Sequence, residues 1–463
     1  MMSAARENAR QKRLEKINSE APEFGKIQFM RSVPFGTRLT IDCFKMQNGL
    51  DILLLTDKSA PVIAFHAWFN VGSRNERPGK TGISHLFEHL MFNEVEGLPP
   101  GEFDRRMEAA GADNNASTWL DFTQYQEAFP KEHLGMVVDL EGRRMGQLVL
   151  REAQLKSEID VVKNERRFRV EDDVEGTVQE LLWKTAFTKH SYHWPTLGWM
   201  NDIGNFTTED CLKFYRSYYA PNNASIILVG DLNEAQALKK LSQAYGTLPS
   251  SELPLEDIHP EPVQTEERIV ELTQPTETEK VAIGYKGPAL GDVDHVTATL
   301  LVEILTGGPA SRLERRLVRN DKVASEVSGF VGPHRDPSLI EFSASAREGT
   351  NAQQLLACID EELQRVVDHP VSDEEIARAR ARTELSLLGG LETADGKAST
   401  IGFYQTLLGR PAAAFERLDA LNRITRSDLQ LAARRYLIQA SRTVILVHPQ
   451  TEESPSASPE ELK

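Results

Sequence analysis

The sequence has few cysteines, no long apolar run and fewer basic than acidic residues, and each of these properties argues against a class of protein. It contains only three cysteines, Cys43, Cys211 and Cys358, which are far apart and odd in number. This argues against a disulfide framework and against a thiolate metal site, and we expect each cysteine to be a small buried hydrophobe. No run of 18 apolar residues occurs, so we expect no membrane-spanning helix.

Basic residues are scarcer than acidic ones. The chain has 53 Lys and Arg against 69 Asp and Glu, a formal net charge of −16 among 463 residues. Nucleic acid is therefore not an expected partner, because phosphate binding needs a basic surface. An acidic balance could instead attract basic peptides.

Residues 1–20 lack the apolar segment of a secretory signal, and their acidic residues argue against a mitochondrial transit peptide. As it stands the sequence predicts a cytoplasmic protein. A leader removed beforehand would leave the same pattern in a periplasmic or organellar protein, so the compartment stays open.

One segment, residues 82–92 (GISHLFEHLMF), has several residues that could bind a metal ion or take part in catalysis. On a helix, His85, Glu88 and His89 fall within one sector of roughly 100°, and apolar residues occupy the rest of the surface. Two histidines at i and i+4 can bind one metal ion, and a non-ligating Glu can hold the metal's water. The order H-x-x-E-H is the inverzincin signature. A core helix with two satisfied histidines is the alternative, but such a helix gains nothing from three ionisable groups.

A third protein ligand is needed, and Glu165 is the best candidate. It lies in residues 151–168, where Leu155, Ile159 and Val162 form an apolar stripe. By itself Glu165 is equally compatible with a solvated helix charge. Glu158 is two turns earlier on the same face and could support a ligating histidine.

Together these segments resemble the pitrilysin or insulinase family of zinc peptidases, in particular its half-size subunits, which include the mitochondrial processing peptidase and its bacterial relatives. The motif and Glu165 occur in order, and three further segments match: residues 72–76 (GSRNE), 115–125 (NASTWLDFTQY) and 219–224 (YAPNNA). The similarity extends from about residue 35 to 450.

The resemblance implies a zinc endopeptidase with one Zn²⁺ per chain that hydrolyses peptides or unfolded segments. His85, His89 and Glu165 would bind the metal, Glu88 would act as general base on its water, and Glu158 would orient a ligand. The edge strand that contains Asn115 and Ala116 would bind substrate by strand addition. Asn115 as a simple turn residue is an equally open alternative.

The implied fold is α+β, with two homologous domains that each pack a mostly antiparallel sheet against helices and together form half of a clam-like chamber. A repeat supports this: at an offset of 218, Asp210, Tyr218 and residues 226–229 align with Asp428, Tyr436 and residues 444–447. The predicted parts are an N-terminal extension (1–34), a zinc-binding domain (35–247), a linker (248–265), a second domain without a metal site (266–449) and a disordered tail (450–463).

One loop with two histidines and one glycine-rich segment are not expected to bind a metal or a nucleotide. His190 and His193 sit in a proline-bounded loop without helical spacing to the site, so we do not expect them to bind metal. The glycine-rich residues 307–313 (GGPASRL) lack the G-x-x-x-x-G-K-[ST] pattern of nucleotide binding.

The sequence departs from the family at one point. Active members have an Arg and a Tyr seven residues apart after the glycine-rich loop, and these bind the substrate carbonyl. Here Arg319 occupies the Arg position, but Glu326 occupies the Tyr position and cannot stabilise an oxyanion.

The resemblance therefore implies a heterodimer with a homologous zinc-free subunit that supplies the Arg and Tyr, in preference to a homodimer. Another donor, such as Tyr404, or a shifted alignment is the alternative. A catalytically weak peptide-binding or assembly subunit is the competing function. A purely structural metal site is disfavoured because it would be closed by four protein ligands.

Overall fold

The computed structural model describes residues 4–450, which form fifteen α-helices and twelve strands. The helices are α1 Ala4–Ser19, α2 Ile83–Leu90, α3 Glu102–Ala109, α4 Leu134–Gly146, α5 Glu152–Arg166, α6 Val174–Ala186, α7 Met200–Ile203, α8 Thr208–Tyr218, α9 Glu234–Tyr245, α10 Val293–Thr306, α11 Ala352–Asp368, α12 Asp373–Gly390, α13 Ala394–Leu408, α14 Ala413–Arg423 and α15 Arg426–Tyr436. The strands are β1 Ile27–Phe35, β2 Leu39–Met46, β3 Asp51–Thr56, β4 Val62–Phe69, β5 Asp113–Thr118, β6 Thr123–Pro130, β7 Ala224–Gly230, β8 Arg268–Gln274, β9 Lys280–Lys286, β10 Ala324–Val331, β11 Leu339–Ala346 and β12 Arg442–Pro449.

Seven strands form the first sheet, in the order β1-β2-β3-β7-β4-β6-β5. Only β3 and β7 run parallel, and the other neighbours are antiparallel. All seven residues of the central strand β7 are buried, which agrees with its sequence ASIILVG, in which Ser225 is the one polar residue. In contrast, β6 alternates strictly between buried and half-buried residues.

The second sheet repeats this topology. Its order β10-β11-β9-β12-β8 matches β5-β6-β4-β7-β3 strand for strand, and β12 and β8 are its parallel pair. The first sheet differs by the additional strands β1 and β2 at its far edge. The predicted fold class, two homologous α+β halves, is therefore confirmed.

The repeat extends to the ends of individual helices. Helix α8 begins with a capping box between Thr207 and Asp210, and α15 begins with the same arrangement between Thr425 and Asp428. Both pairs are separated by the offset of 218 found in the sequence. Each reciprocal cap satisfies two backbone N–H groups and fixes the helix that leads into a buried strand.

The chain divides into two compact units. The first comprises residues 1–163, 196–257 and 388–415, and the second comprises residues 164–195, 258–387 and 416–463. The division after Lys163 falls in the last turn of α5, whose apolar side chains Leu155, Ile159 and Val162 belong to the core of the first unit. Each unit therefore takes a short segment from the other half of the chain.

In the first unit, this exchanged segment supplies a helix that covers the sheet. Helix α13 packs against β4 and β7. The fully buried His66 on β4 places its Nε2 2.8 Å from Oδ1 of Asp395 at the start of α13. A Cβ on Gly402 would lie 2.1 Å from Trp68 Nε1, so only glycine permits this close approach.

In the second unit, the corresponding helix is α6. It packs against β8, β9 and β12 of the second sheet. Residues 164–195 and 388–415 thus have equivalent roles, each covering one sheet.

The segment 82–92 contains α2, the segment 151–168 contains α5, and Asn115 and Ala116 lie on β5. Residues 1–34, predicted as an extension, include helix α1 and strand β1, and β1 pairs with β2. Residues 248–265, predicted as a linker, carry no helix or strand. Apart from Gln450, the tail predicted for residues 450–463 lies outside the described residues.

The cysteines lie largely as expected. Cys43 and Cys211 are buried and Cys358 is half-buried, and all three are free thiols. Burial raises the pKa of the Cys43 thiol to about 11 and that of the Cys211 thiol to about 12. Within residues 4–450, no helix has the length and apolar composition required to cross a membrane.

A buried ion cluster in the first unit gives a test of its stability. Arg144 is 1% exposed. Its Nη2 lies 2.9 Å from Glu127 Oε1 and 2.5 Å from Glu141 Oε1. Its guanidinium lies over the ring of Tyr125 at 4.3 Å. Burial and the neighbouring Glu141 raise the pKa of Glu127 well above its usual range, so one positive charge faces two carboxyl groups.

We predict that Arg144→Met lowers the free energy of unfolding by about 3 to 5 kcal/mol, because two carboxyl groups remain buried without their cation. Urea unfolding measures the change. Arg143→Met is the matched control, since Arg143 forms an exposed pair with Asp139 at 3.0 Å, and it should change stability by less than about 1 kcal/mol. Equal effects of the two substitutions would contradict the assignment.

Candidate metal centre

Helix α2 positions the H-x-x-E-H side chains. Its residues Leu86, Phe87 and Leu90 are completely buried in the first core. The packing of this apolar face fixes the rotation of the helix about its axis. His85 is 6% exposed, and Glu88 and His89 are half-buried, so the three polar groups lie at the border of the core.

The N-terminus of α2 is held by a buried carboxylate, Glu76. Its two oxygens accept hydrogen bonds from the backbone N–H groups of Gly82 and Ser84, both at 2.8 Å. Burial raises the pKa of Glu76 to about 8. Gly82 has φ 88°, and a Cβ there would lie 2.6 Å from the carbonyl oxygen of Leu197, so glycine is required at this turn.

The structure brings His85 and His89 together with Glu165 from the last turn of α5. One ligand atom from each lies within 4.8 Å of the other two, and no other group of this kind occurs in the part of the chain that the structure describes. Two imidazole nitrogens and one carboxylate oxygen are a donor set that zinc prefers in catalytic sites. The residues therefore fit zinc, and three ligands leave one position open for water or substrate.

Glu88 lies beside this group without belonging to it. Burial raises the pKa values of the hydroxyls of Tyr125 and Tyr219, and the negative charge of Glu88 adds to this effect. A carboxylate next to a metal site is suited to exchange a proton with water if it is not itself a ligand.

Glu158, predicted to orient a ligand, lies close to His89. Its Oε2 lies 3.6 Å from His89 Nδ1, and Asn93 Nδ2 donates a hydrogen bond to its Oε1 at 3.2 Å. His89, and to a lesser extent Asn93, holds the pKa of the Glu158 carboxyl below its usual range. A carboxylate on Nδ1 favours the tautomer whose Nε2 is free for a metal.

The end of α5 is fixed by two arginines that the sequence did not single out. Arg166 is buried and donates from Nη1 and Nη2 to the two carboxylate oxygens of Glu180, at 2.8 and 2.9 Å. Arg169, in the π-helical turn Arg167–Glu171, places Nε 3.1 Å from Glu165 Oε1. These contacts orient the turn that carries the third ligand.

The predicted substrate strand is an edge strand. Asn115 and Ala116 lie on β5, which pairs only with β6, and α2 packs against β5. The backbone N–H of Ala116 donates to the side-chain oxygen of Asn115 at 2.9 Å. This N–H bonds to a side chain and not to β6, so it is available for another strand once Asn115 rotates.

The two loop histidines serve other purposes. His190 Nε2 lies 3.1 Å from Asp336 Oδ2, and His193 Nδ1 donates to the carbonyl oxygen of Phe187 at 2.7 Å. Neither is part of the metal-ligand group.

The residues at the family's Arg and Tyr positions lie in the second unit. Arg319 is exposed and its Nε is 3.6 Å from Glu314 Oε1. Glu326 lies on the edge strand β10 and accepts a hydrogen bond from Ser345 Oγ at 2.8 Å.

Two family models match the chain in succession. Residues 52–198 match the model described as Insulinase (Peptidase family M16), and residues 205–383 match the Peptidase M16 inactive domain. Zinc protease PqqE of Helicobacter pylori is 30% identical over 412 residues, which cover 87% of this chain and 92% of that protein. This chain belongs to peptidase family M16. Its two halves correspond to the two M16 domains, and zinc use is a property of the family.

Other M16 relatives agree with this assignment. The mitochondrial-processing peptidase subunit beta of Blastocladiella emersonii is 21% identical over 414 residues, 88% of each chain. The crystal structure of a protease from Helicobacter pylori aligns with this chain at a TM-score of 0.83 and 28% identity. The alignment covers 93% of this chain and 100% of that protease chain. The peptidase M16 inactive domain from Pseudomonas fluorescens has a TM-score of 0.81 at 16% identity, covering 90% and 100%, which supports the fold alone.

We predict that Glu158→Gln lowers zinc affinity by about 10- to 100-fold, because the neutral amide no longer strengthens His89 as a donor. Competition with a chelator of known affinity measures it. Asp160→Asn, an exposed site on the same helix, should leave affinity unchanged. If both variants bind zinc like the unmodified chain, Glu158 has no role in tuning the ligand.

Proposed function

We propose that this chain is a zinc-dependent endopeptidase. The supporting observation is the group formed by His85, His89 and Glu165, whose ligand atoms lie within 4.8 Å of one another. With Glu88 on the same helix, this group would provide three protein ligands and an acid–base group, which a hydrolase needs and a closed structural site does not.

Each residue then has a separate role. When bound, zinc supplies a Lewis acid that lowers the pKa of a water molecule and polarises the scissile carbonyl. Glu88 accepts a proton from the attacking water and delivers it to the leaving amine nitrogen. Glu158 orients His89, and the Glu76 cap holds the start of the helix that carries both histidines.

We propose extended peptides or unfolded segments as substrates, held on β5 at Asn115 and Ala116. Strand addition uses main-chain hydrogen bonds, so it accepts many sequences but requires an extended backbone. Tightly folded proteins do not present such a segment. Enclosure of the site in a chamber formed with a second subunit would strengthen this selection.

We further propose a heterodimer in which a homologous zinc-free subunit supplies the Arg and Tyr. Glu326 bears a carboxylate at the Tyr position, and its charge would repel a developing oxyanion. One of the M16 relatives is itself described as a subunit, which is compatible with division of labour between two chains. The competing function is a catalytically weak peptide-binding or assembly subunit, which the same Glu326 also favours.

The variant Glu88→Gln separates metal binding from catalysis. We predict that it retains about one zinc per chain and loses peptidase activity by about 10²- to 10⁴-fold, because the amide cannot accept the proton. His85→Ala and Glu165→Ala should lose zinc as well. Metal analysis and peptide hydrolysis are measured on the same preparations, with exposed Glu132→Gln as control. Normal hydrolysis by Glu88→Gln would refute the mechanism.

The heterodimer is tested with the isolated, zinc-loaded chain and an unstructured peptide. We predict slow cleavage alone and a rise of about 10²- to 10³-fold on adding a homologous zinc-free subunit with the Arg and Tyr, the contribution expected of such a donor. The added subunit with its Tyr changed to Phe should give little of that rise. An isolated chain whose full activity no partner alters would contradict the proposal.

A further inference from the structure

We propose that Trp119 determines substrate specificity by binding an apolar side chain of a peptide held on the edge of the first sheet. The inference rests on the proposed peptidase function and adds a subsite to it. Its basis is the position of Trp119, the hydrogen bonds of its backbone and the exposure of its ring.

Trp119 directly follows β5, the edge strand beside α2. It is three residues beyond Ala116, and a strand rises about 3.3 Å per residue, so it lies roughly 10 Å along the edge from that position. A peptide added to β5 would therefore reach Trp119 with a side chain about three to five residues from the one opposite Ala116.

The backbone of Trp119 has no free hydrogen-bonding groups for a peptide. Its N–H donates to the carbonyl oxygen of Phe122 at 2.9 Å, and its carbonyl oxygen accepts from the N–H of Ser73 at 3.2 Å. A Cβ on Gly72 would lie 2.3 Å from that carbonyl oxygen, so the two segments are in close contact. Strand addition consequently ends at Thr118, and beyond it recognition depends on the side chain.

The Trp119 ring is available and firmly supported. It is 54% exposed, and its centroid lies 6.5 Å from that of Phe122. Phe122 in turn packs on Trp68 at 4.8 Å and Phe403 at 6.0 Å. A large aromatic surface that remains exposed on a buried aromatic base gains by covering itself with an apolar side chain.

The acidic residue in the Trp119 hairpin is not available to bind a basic side chain of the peptide. Asp121, in the same hairpin, is 3% exposed and lies 3.8 Å from Arg74 Nε, so this carboxylate is buried and paired. We therefore assign Trp119 a preference for aliphatic or aromatic side chains over lysine or arginine.

Binding is measured on the zinc-loaded Glu88→Gln chain, so that no turnover is needed. The probes are fluorescent, unstructured peptides of serine and alanine in which one leucine is moved along the sequence. For leucine at one position or two adjacent positions, Trp119→Ala should weaken binding about tenfold, and Trp119→Phe should largely preserve it. Peptides without leucine should bind the Glu88→Gln chain equally well with and without the Trp119→Ala substitution.

Met30→Ala is the matched control, because Met30 is 55% exposed on β1 at the opposite edge of the same sheet. It should change none of these affinities. The inference is overturned if Trp119→Ala binds every peptide as tightly as its parent, if lysine replaces leucine without loss, or if neither chain binds any peptide. A leucine-specific loss in a chain that never cleaves peptides would refute the proposed catalysis and still support the subsite.

Discussion

The candidate metal centre depends on the packing of two helices against one apolar core. Leu86 and Leu90 of α2 and Val162 of α5 are each completely buried in it. This packing sets the rotation of both helices and so brings Glu165 to the two histidines. Packing holds the two helices in position, and a displacement of about 1 Å in either helix would degrade the site.

Around this core, buried ionisable groups are placed where the backbone or an opposite charge can satisfy them. Glu76, whose pKa burial raises to about 8, accepts hydrogen bonds from two backbone N–H groups at the start of α2. Arg166 pairs with Glu180 and Arg169 with Glu165 in the last turn of α5. Two ligand-bearing segments are thus each oriented at one end by side-chain hydrogen bonds or ion pairs.

Local and repetitive features could be predicted from the sequence. The H-x-x-E-H helix and the repeat with an offset of 218 depend on neighbouring residues or on a comparison of the chain with itself. Both capping boxes follow this rule, since Thr207 and Thr425 each precede an Asp by three residues.

Features that depend on distant contacts could not be predicted. Nothing in residues 164–195 indicates that they join the second unit, or that α13 covers the first sheet. Glu76 belongs to the segment 72–76, but its role as a buried cap depends on the chain folding back onto α2. Arg169 is one of several charges in residues 165–169 (ERRFR), and its sequence position alone does not distinguish it. Glu165 alone was ambiguous, and only its proximity to the histidines distinguishes it from a surface charge.

Crystallography of the zinc-loaded chain at the zinc absorption edge would show directly whether these three side chains bind a catalytic zinc. We expect one anomalous peak per chain, with nitrogens of His85 and His89 at about 2.0 to 2.1 Å and an oxygen of Glu165 at about 2.0 to 2.2 Å. Glu88 should lie outside bonding distance. A peak elsewhere, a fourth protein ligand that closes the site, or Glu88 bound to the metal would contradict this prediction.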